Sequence, residues 1–310
     1  MSYRVRVGRR VVLAAGVALL ASTPAVAQQR LKVVASFSII GDMVREIGGD
    51  RIEVATVVGA DQDAHTYQPT PSDAKAVAAA KVLFVNGLGF EGWIDRLARA
   101  APFKGTRVVL TDGIANPLTL ESGGSHGGHK HAHGASDPHT WQDITNARLY
   151  ARNIVKGLAA ADPANAEAYR QRGADYDRRL GELDAWVKSQ IATVPADKRK
   201  VITGHEAFRY FARAYGVAFH APIGVSTDQE PSAQQIAGLI RLMKSTGIKA
   251  IFIENMSNPK LVEQIARDAG GVVGPALYSD ALSKPGGPAD TYEKLFRFNV
   301  QALVAGMQKN

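Results

Sequence analysis

The 310 residues are 45% apolar and 21% charged, enough to bury an adequate core without covalent staples. Half of the formal charge of +8 lies in the first ten residues: without Arg4, Arg6, Arg9 and Arg10, 33 basic side chains face 29 acidic ones, a formal +4, and no basic run interleaved with aromatics marks a nucleic-acid surface. The absence of cysteine excludes disulfides and thiolate metal sites, and predicts a mature protein without a lipid-modified cysteine.

Residues 1–27 read as a secretory leader. The four arginines form a basic start, Val11 to Leu20 is apolar, and Ala25-Val26-Ala27 is an A-x-A cleavage site. The apolar run falls short of the ~20 residues a membrane span needs. Gly8-Arg9-Arg10 leaves general and twin-arginine export both open. The predicted address is a bacterial periplasm.

Residues 28–143 alternate strand and helix. LKVVASF and RIEVATVVG are buried strands, separated by a helix over IIGDMVREIGG. A loop carrying His65 follows, then a helix start at Thr70-Pro71-Ser72-Asp73, with Thr70 as N-cap and Asp73 favouring the positive helix end. KVLFVNG and RVVLT supply two more strands around a helix holding Trp93 and Leu97. Near-continuous apolar strands in βα units predict a parallel sheet covered on both faces.

Five of the eight histidines lie between Ser122 and Asp143. His126, His129, His131 and His133 sit in a Gly/Ser/Ala-rich run, 122–136, without apolar periodicity, a composition that predicts a mobile loop and offers weak secondary metal sites. His139 follows Asp137-Pro138 and precedes Trp141, so it belongs to ordered structure.

Residues 144–194 are helical, with a break at Ala161-Asp162-Pro163. Tyr169, Tyr176, Leu180, Leu183, Val187 and Ile191 form one apolar stripe. Thirty helical residues span ~45 Å, which predicts a stiff strut between two lobes. The second lobe, 195–310, repeats the βα pattern. KRKVITG leads to His205-Glu206, VAFHAPIGV and KAIFIEN are further strands, and VVGPALYSD is a last strand ending at Asp280. A helix closes the chain from Asp290 to Gln308. His220, inside an apolar strand, reads as a core residue.

His65, His139, His205 and Asp280 therefore stand at the carboxyl side of their sheets, where ligands bind in open parallel folds. Two from each lobe can meet across the cleft. Three imidazoles and one carboxylate make a four-ligand site for a borderline divalent cation. Protonation of imidazoles near their reference pKa of ~6.5 should weaken that binding.

GADQDAHTYQPTPSD, DPHTWQD, TGHEAFRYFARAYG and LYSDALSKPGGPADTYEKLFRFNV, in that order, resemble the signatures of the periplasmic metal-binding proteins of cluster A-I ABC importers, the ZnuA/TroA-like group. The resemblance covers residues 31 to 310. It implies two βα lobes joined by a long backbone helix and carries the ligand roles onto His65, His139, His205 and Asp280. The zinc-binding AztC-type branch, with three histidines, an aspartate and a His-rich loop, is the nearest likeness. Zn2+ is the implied cargo and Mn2+ the alternative, because manganese members replace a histidine with a carboxylate.

The resemblance implies an ABC membrane permease as partner, and a monomer is expected; the His-rich run is open to three roles, a zinc transfer arm, a store, or a contact for a periplasmic zinc chaperone. A zinc hydrolase is the competing reading, with Glu206 as its general base. Four protein ligands close the shell that catalysis needs open, and Arg209 stands where an H-E-x-x-H motif needs its second histidine. An adhesin or a zinc buffer is a third reading.

Overall fold

Two parallel sheets organise the computed structural model, which describes residues 1–3, 29–120 and 136–310. Most of the leader, and His126, His129, His131 and His133, lie outside the described residues. The first half runs β1 (Leu31–Phe37), α1 (Ser38–Gly48), β2 (Ile52–Val58), α2 (Pro71–Ala79), β3 (Val82–Val85), α3 (Ile94–Ala100) and β4 (Thr106–Val109). Its strands lie in the order β2-β1-β3-β4, every neighbouring pair parallel. The central strands β1 and β3 are buried from Val33 to Phe37 and from Val82 to Val85, apolar but for Ser36, as a sheet covered on both faces requires. Thr70 and Asp73 form the expected reciprocal cap at α2.

Two helices follow, α4 (Ile144–Ala161) and α5 (Ala166–Ala192). At 27 residues α5 is about 40 Å long by helical rise. The predicted stripe of Tyr169, Tyr176, Leu180, Leu183, Val187 and Ile191 is its buried face. Gly157 lets α4 approach the first sheet: a Cβ there would lie 2.8 Å from Val108 Cγ2 and 3.1 Å from the Phe84 ring.

The second half runs β5 (Lys200–Ile202), α6 (Arg209–Tyr215), β6 (Ala218–His220), α7 (Ala233–Thr246), β7 (Ala250–Ile251), α8 (Lys260–Ala269), β8 (Val272–Val273) and α9 (Tyr292–Met307). Its strands take the order β6-β5-β7-β8, again parallel throughout. One apolar cluster runs from the first sheet through α4, α5 and α9 to Val201 and Phe252, so the lobes share a core. A smaller cluster sits under α7 and α8, around Ile202, Ile251 and Ile265.

Several expectations change in this half, and the predicted strands VAFHAPIGV and KAIFIEN shorten to β6 and β7. The strand predicted to end at Asp280 stops at Val273, and only Leu277 pairs beyond it, with Glu254. Pro275 breaks the ladder, since proline has no N–H to give; Gly274 still donates to Ile251 O at 2.8 Å, and its missing Cβ lets the chain pass the Phe252 ring. The segment EAFRYFARAYG reads as a helix from Glu206, but α6 starts at Arg209, because His205 bridges Ile223 and the Glu206 amide donates to Gly224 O at 3.2 Å. His220 is half-buried on the sheet-edge strand β6, outside the core. Among the described residues no helix is long and apolar enough to cross a membrane.

Candidate metal centre

His65 stands in the loop between β2 and α2. Trp93 Nε1 donates to the carbonyl of Ala64 at 2.7 Å, and the His65 amide donates to Asp63 Oδ1 at 2.8 Å. Three bonds fasten this loop across the cleft: Asp61 N–H to Leu282 O at 3.0 Å, Asn255 Nδ2 to Asp61 Oδ1 at 2.9 Å, and Thr227 Oγ1 to Asp63 Oδ2 at 2.6 Å. The edge of Phe90 closes one side of the imidazole, with ring centroids 4.7 Å apart.

His139 precedes a short 3-10 turn, Thr140–Gln142, that leads into α4. Asp137 Oδ1 accepts the His139 amide at 3.0 Å and lies 2.8 Å from its Nδ1. Asn86 Nδ2 holds the Pro138 carbonyl at 2.9 Å. His205 follows the end of β5, and a carboxylate also backs it: Glu254 Oε2 is 2.5 Å from His205 Nδ1. Asp280 lies in the irregular chain after β8, next to Ser279, whose carbonyl accepts Trp141 Nε1 at 2.9 Å and Gln142 Nε2 at 2.8 Å.

These elements bring the four predicted residues together, with one ligand atom from each lying within 4.8 Å of the others. All three imidazoles turn Nε2 inward. His139 Nε2 is 3.2 Å from that of His65 and 3.4 Å from that of His205. The Asp280 carboxylate lies 3.1 Å from His205 Nε2, 3.4 Å from His65 Nε2 and 3.5 Å from His139 Nε2. His139, His205 and Asp280 are buried, and His65 is slightly more open.

The electrostatics suit a cation. Both Asp280 oxygens are buried without a well-formed hydrogen bond among the described residues, a state that proteins rarely leave unsatisfied. Burial alone would raise the Asp280 pKa, but His205 and His139 hold it well below the usual carboxylate range. Burial alone would lower His139; Asp280 and Asp137 outweigh it and lift His139 to about 9. Glu254 and Asp280 likewise overcome burial and hold His205 well above an ordinary imidazole. Proton competition at this site therefore begins at higher pH than the reference imidazole value predicts.

A family model described as zinc-uptake complex component A, periplasmic (ZnuA), matches residues 33–306. The chain belongs to the ZnuA family. It is accordingly an extracytoplasmic metal-binding component of an ABC importer and not an enzyme. It is 30% identical over 287 residues to the manganese ABC transporter substrate-binding lipoprotein PsaA of Streptococcus anginosus, covering 91% of this chain and 90% of the relative. The Mn-bound periplasmic metal binding protein from candidatus liberibacter asiaticus superposes with a TM-score of 0.78 at 32% identity, over 90% of this chain and 100% of that one. The periplasmic zinc binding protein TroA from Treponema pallidum gives a TM-score of 0.83 at 28% identity, over 90% of this chain and 99% of that one. Two parallel sheets with a long helix between them are thus the ZnuA-family architecture.

Membership in the ZnuA family removes the hydrolase reading, and the geometry agrees. Glu206 is exposed and stands outside the four-residue cluster. Sequence reasoning missed Asp137 and Glu254. Asp137 was legible, because a carboxylate two residues before a histidine reaches back onto its ring. Glu254 gave no local signal, since it stands 49 residues from His205.

Proposed function

We propose that the protein captures zinc with His65, His139, His205 and Asp280 and delivers it to an ABC permease. The observation that carries this reading is the convergence of three Nε2 atoms and one otherwise unbonded carboxylate on a single buried point. Three nitrogens and one oxygen favour zinc over manganese, which prefers oxygen donors. Two of the relatives above are named or titled for manganese, so manganese is the second reading. Competition between the two ions for the mature protein decides it: zinc is retained under the first reading, manganese under the second.

The placement that goes with this reading is a monomer freed into the periplasm by cleavage after Ala27, without lipid on a cysteine, since the 310 residues contain none. The relative PsaA is named a lipoprotein, so the mass of the mature protein is the direct check. His126, His129, His131 and His133 would collect zinc weakly, or contact a zinc chaperone, and pass zinc to the four-residue site. Deleting 125–134 should leave one tight site and slow zinc acquisition from a donor protein. An unchanged rate reduces the run to a linker. The working division is 28–143, 144–194 and 195–310.

A further inference from the structure

Behind the His205 ring lies a carboxylate that contacts no cation position itself. Glu254 is 1% exposed and collects four contacts. Its Oε1 accepts the amides of Gly204 at 2.8 Å and His205 at 2.9 Å. Its Oε2 accepts Ser279 Oγ at 2.8 Å and lies 2.5 Å from His205 Nδ1. Ser279 directly precedes Asp280. One carboxylate therefore spans both segments through which the second lobe reaches the metal centre.

An imidazole that offers its Nε2 lone pair to a cation carries its proton on Nδ1, and the group behind Nδ1 fixes that choice. Glu254 Oε2, 2.5 Å from Nδ1 in an ion-pair contact rather than a well-formed hydrogen bond, favours a proton there by charge. Its bond to Ser279 sets the direction in which the chain enters Asp280. Trp141 and Gln142, just after His139, hold the same serine through its carbonyl.

We propose that Glu254 is a positioning residue for the bound cation, holding His205 as the Nδ1–H tautomer and fixing Ser279 so that Asp280 faces the same point. This rests on the four-residue metal site proposed above. Glu254→Gln keeps the shape and removes the chemistry. Four donors then compete for one carbonyl oxygen, and an amide NH2 facing Nδ1 draws the imidazole proton to Nε2, where it blocks the cation.

The test measures zinc affinity by chelator competition, and the His205 tautomer by 15N NMR of the imidazole rings. The parent loaded with zinc should show a proton on His205 Nδ1. Glu254→Gln should bind zinc roughly 10–100-fold more weakly, the range for lost partners behind metal-bound histidines. Glu254→Asp keeps the charge but withdraws it by one methylene, and should also weaken binding; it serves if the Gln variant does not fold. Parent affinity in a folded Gln or Asp variant, or a bare Nδ1 in the zinc-loaded parent, overturns the proposal. A parent that binds no divalent cation, or keeps its affinity in His205→Ala, sinks the metal-site reading instead.

Discussion

The two sheets share one strand order but not one construction. The first has strands of seven, seven, four and four residues, and the second has strands of three, three, two and two. Backbone ladders fix the first sheet. In the second, polar side chains take over much of that work. Asn310 Oδ1 accepts the amides of Lys249 and Ala250, and its Nδ2 donates to the carbonyls of Lys198 and Lys200, joining the approaches to β5 and β7. Asn299 holds both the amide and the carbonyl of Tyr278. Glu254 accepts the amides of Gly204 and His205 and the Ser279 hydroxyl. A parallel sheet can thus be short and still present ligands precisely enough to converge, provided buried amides and carboxylates replace the missing ladder.

The largest effect should separate the ligands of the two lobes. On the proposed reading, His205→Ala removes a buried ligand from a site whose whole binding energy is on the order of 10–16 kcal/mol for closed zinc sites, and should cost several kcal/mol of it. His65→Ala should cost less, because His65 sits in a loop at the more open side of the site. Chelator competition ranks the two, and equal losses would erase the distinction. The stabilisation that zinc gives in thermal melts should fall in the same order.

The second effect is pH-dependent. The folded pKa of His139 is raised above its unfolded value, to about 9, and that of His205 is raised too. Their contribution to stability of the metal-free protein is therefore fully present below pH ~6.5 and is lost as pH rises through about 9. Zinc needs unprotonated Nε2 atoms, so its affinity should move the opposite way, rising by up to about tenfold per pH unit for each proton displaced. Calorimetry in buffers of different ionisation enthalpy counts those protons. No proton release at neutral pH would contradict the raised values.

A third, smaller effect probes the side chains that replace the ladder. Asn299→Ala leaves the Tyr278 amide and carbonyl without their partner, and should destabilise by about 1–3 kcal/mol per group left unsatisfied. Denaturant unfolding followed by fluorescence reads it, and a neutral result would mean that water replaces the amide. The smallest effect should be the same in both lobes. Thr70→Ala and Ser232→Ala each break a reciprocal N-terminal cap, at α2 and α7, and should cost about 1 kcal/mol. Unequal values would show that one helix depends on tertiary packing more than the other.

The same contrast explains what the sequence made legible. β1 and β3 announce themselves as apolar runs, Thr70-Pro71-Ser72-Asp73 marks a helix start, and the stripe from Tyr169 to Ile191 marks α5. Each is a local pattern, and each was found. KAIFIEN and VVGPALYSD carry the same apolar signal, yet they yield only two strand residues apiece, because long-range partners decide where a ladder ends. The convergence of the four residues proposed as ligands was legible from their places after strands, although Asp280 reaches its position through irregular chain. Asp137 was legible from its place two residues before His139 but was not identified, whereas Glu254 is remote in sequence from the ring it backs and gave no signal.

The proposed donor set has a consequence for the chemistry of the exported compartment. Imidazole and carboxylate do not undergo thiol–disulfide exchange, and the 310 residues contain no cysteine. Oxidants that strip metal from thiolate sites by forming disulfides have no substrate here. Loading of this carrier should therefore be indifferent to redox poise while remaining sensitive to acidity. Peroxide treatment that empties a cysteine-based zinc site should leave this one filled, and mild acidification should empty it.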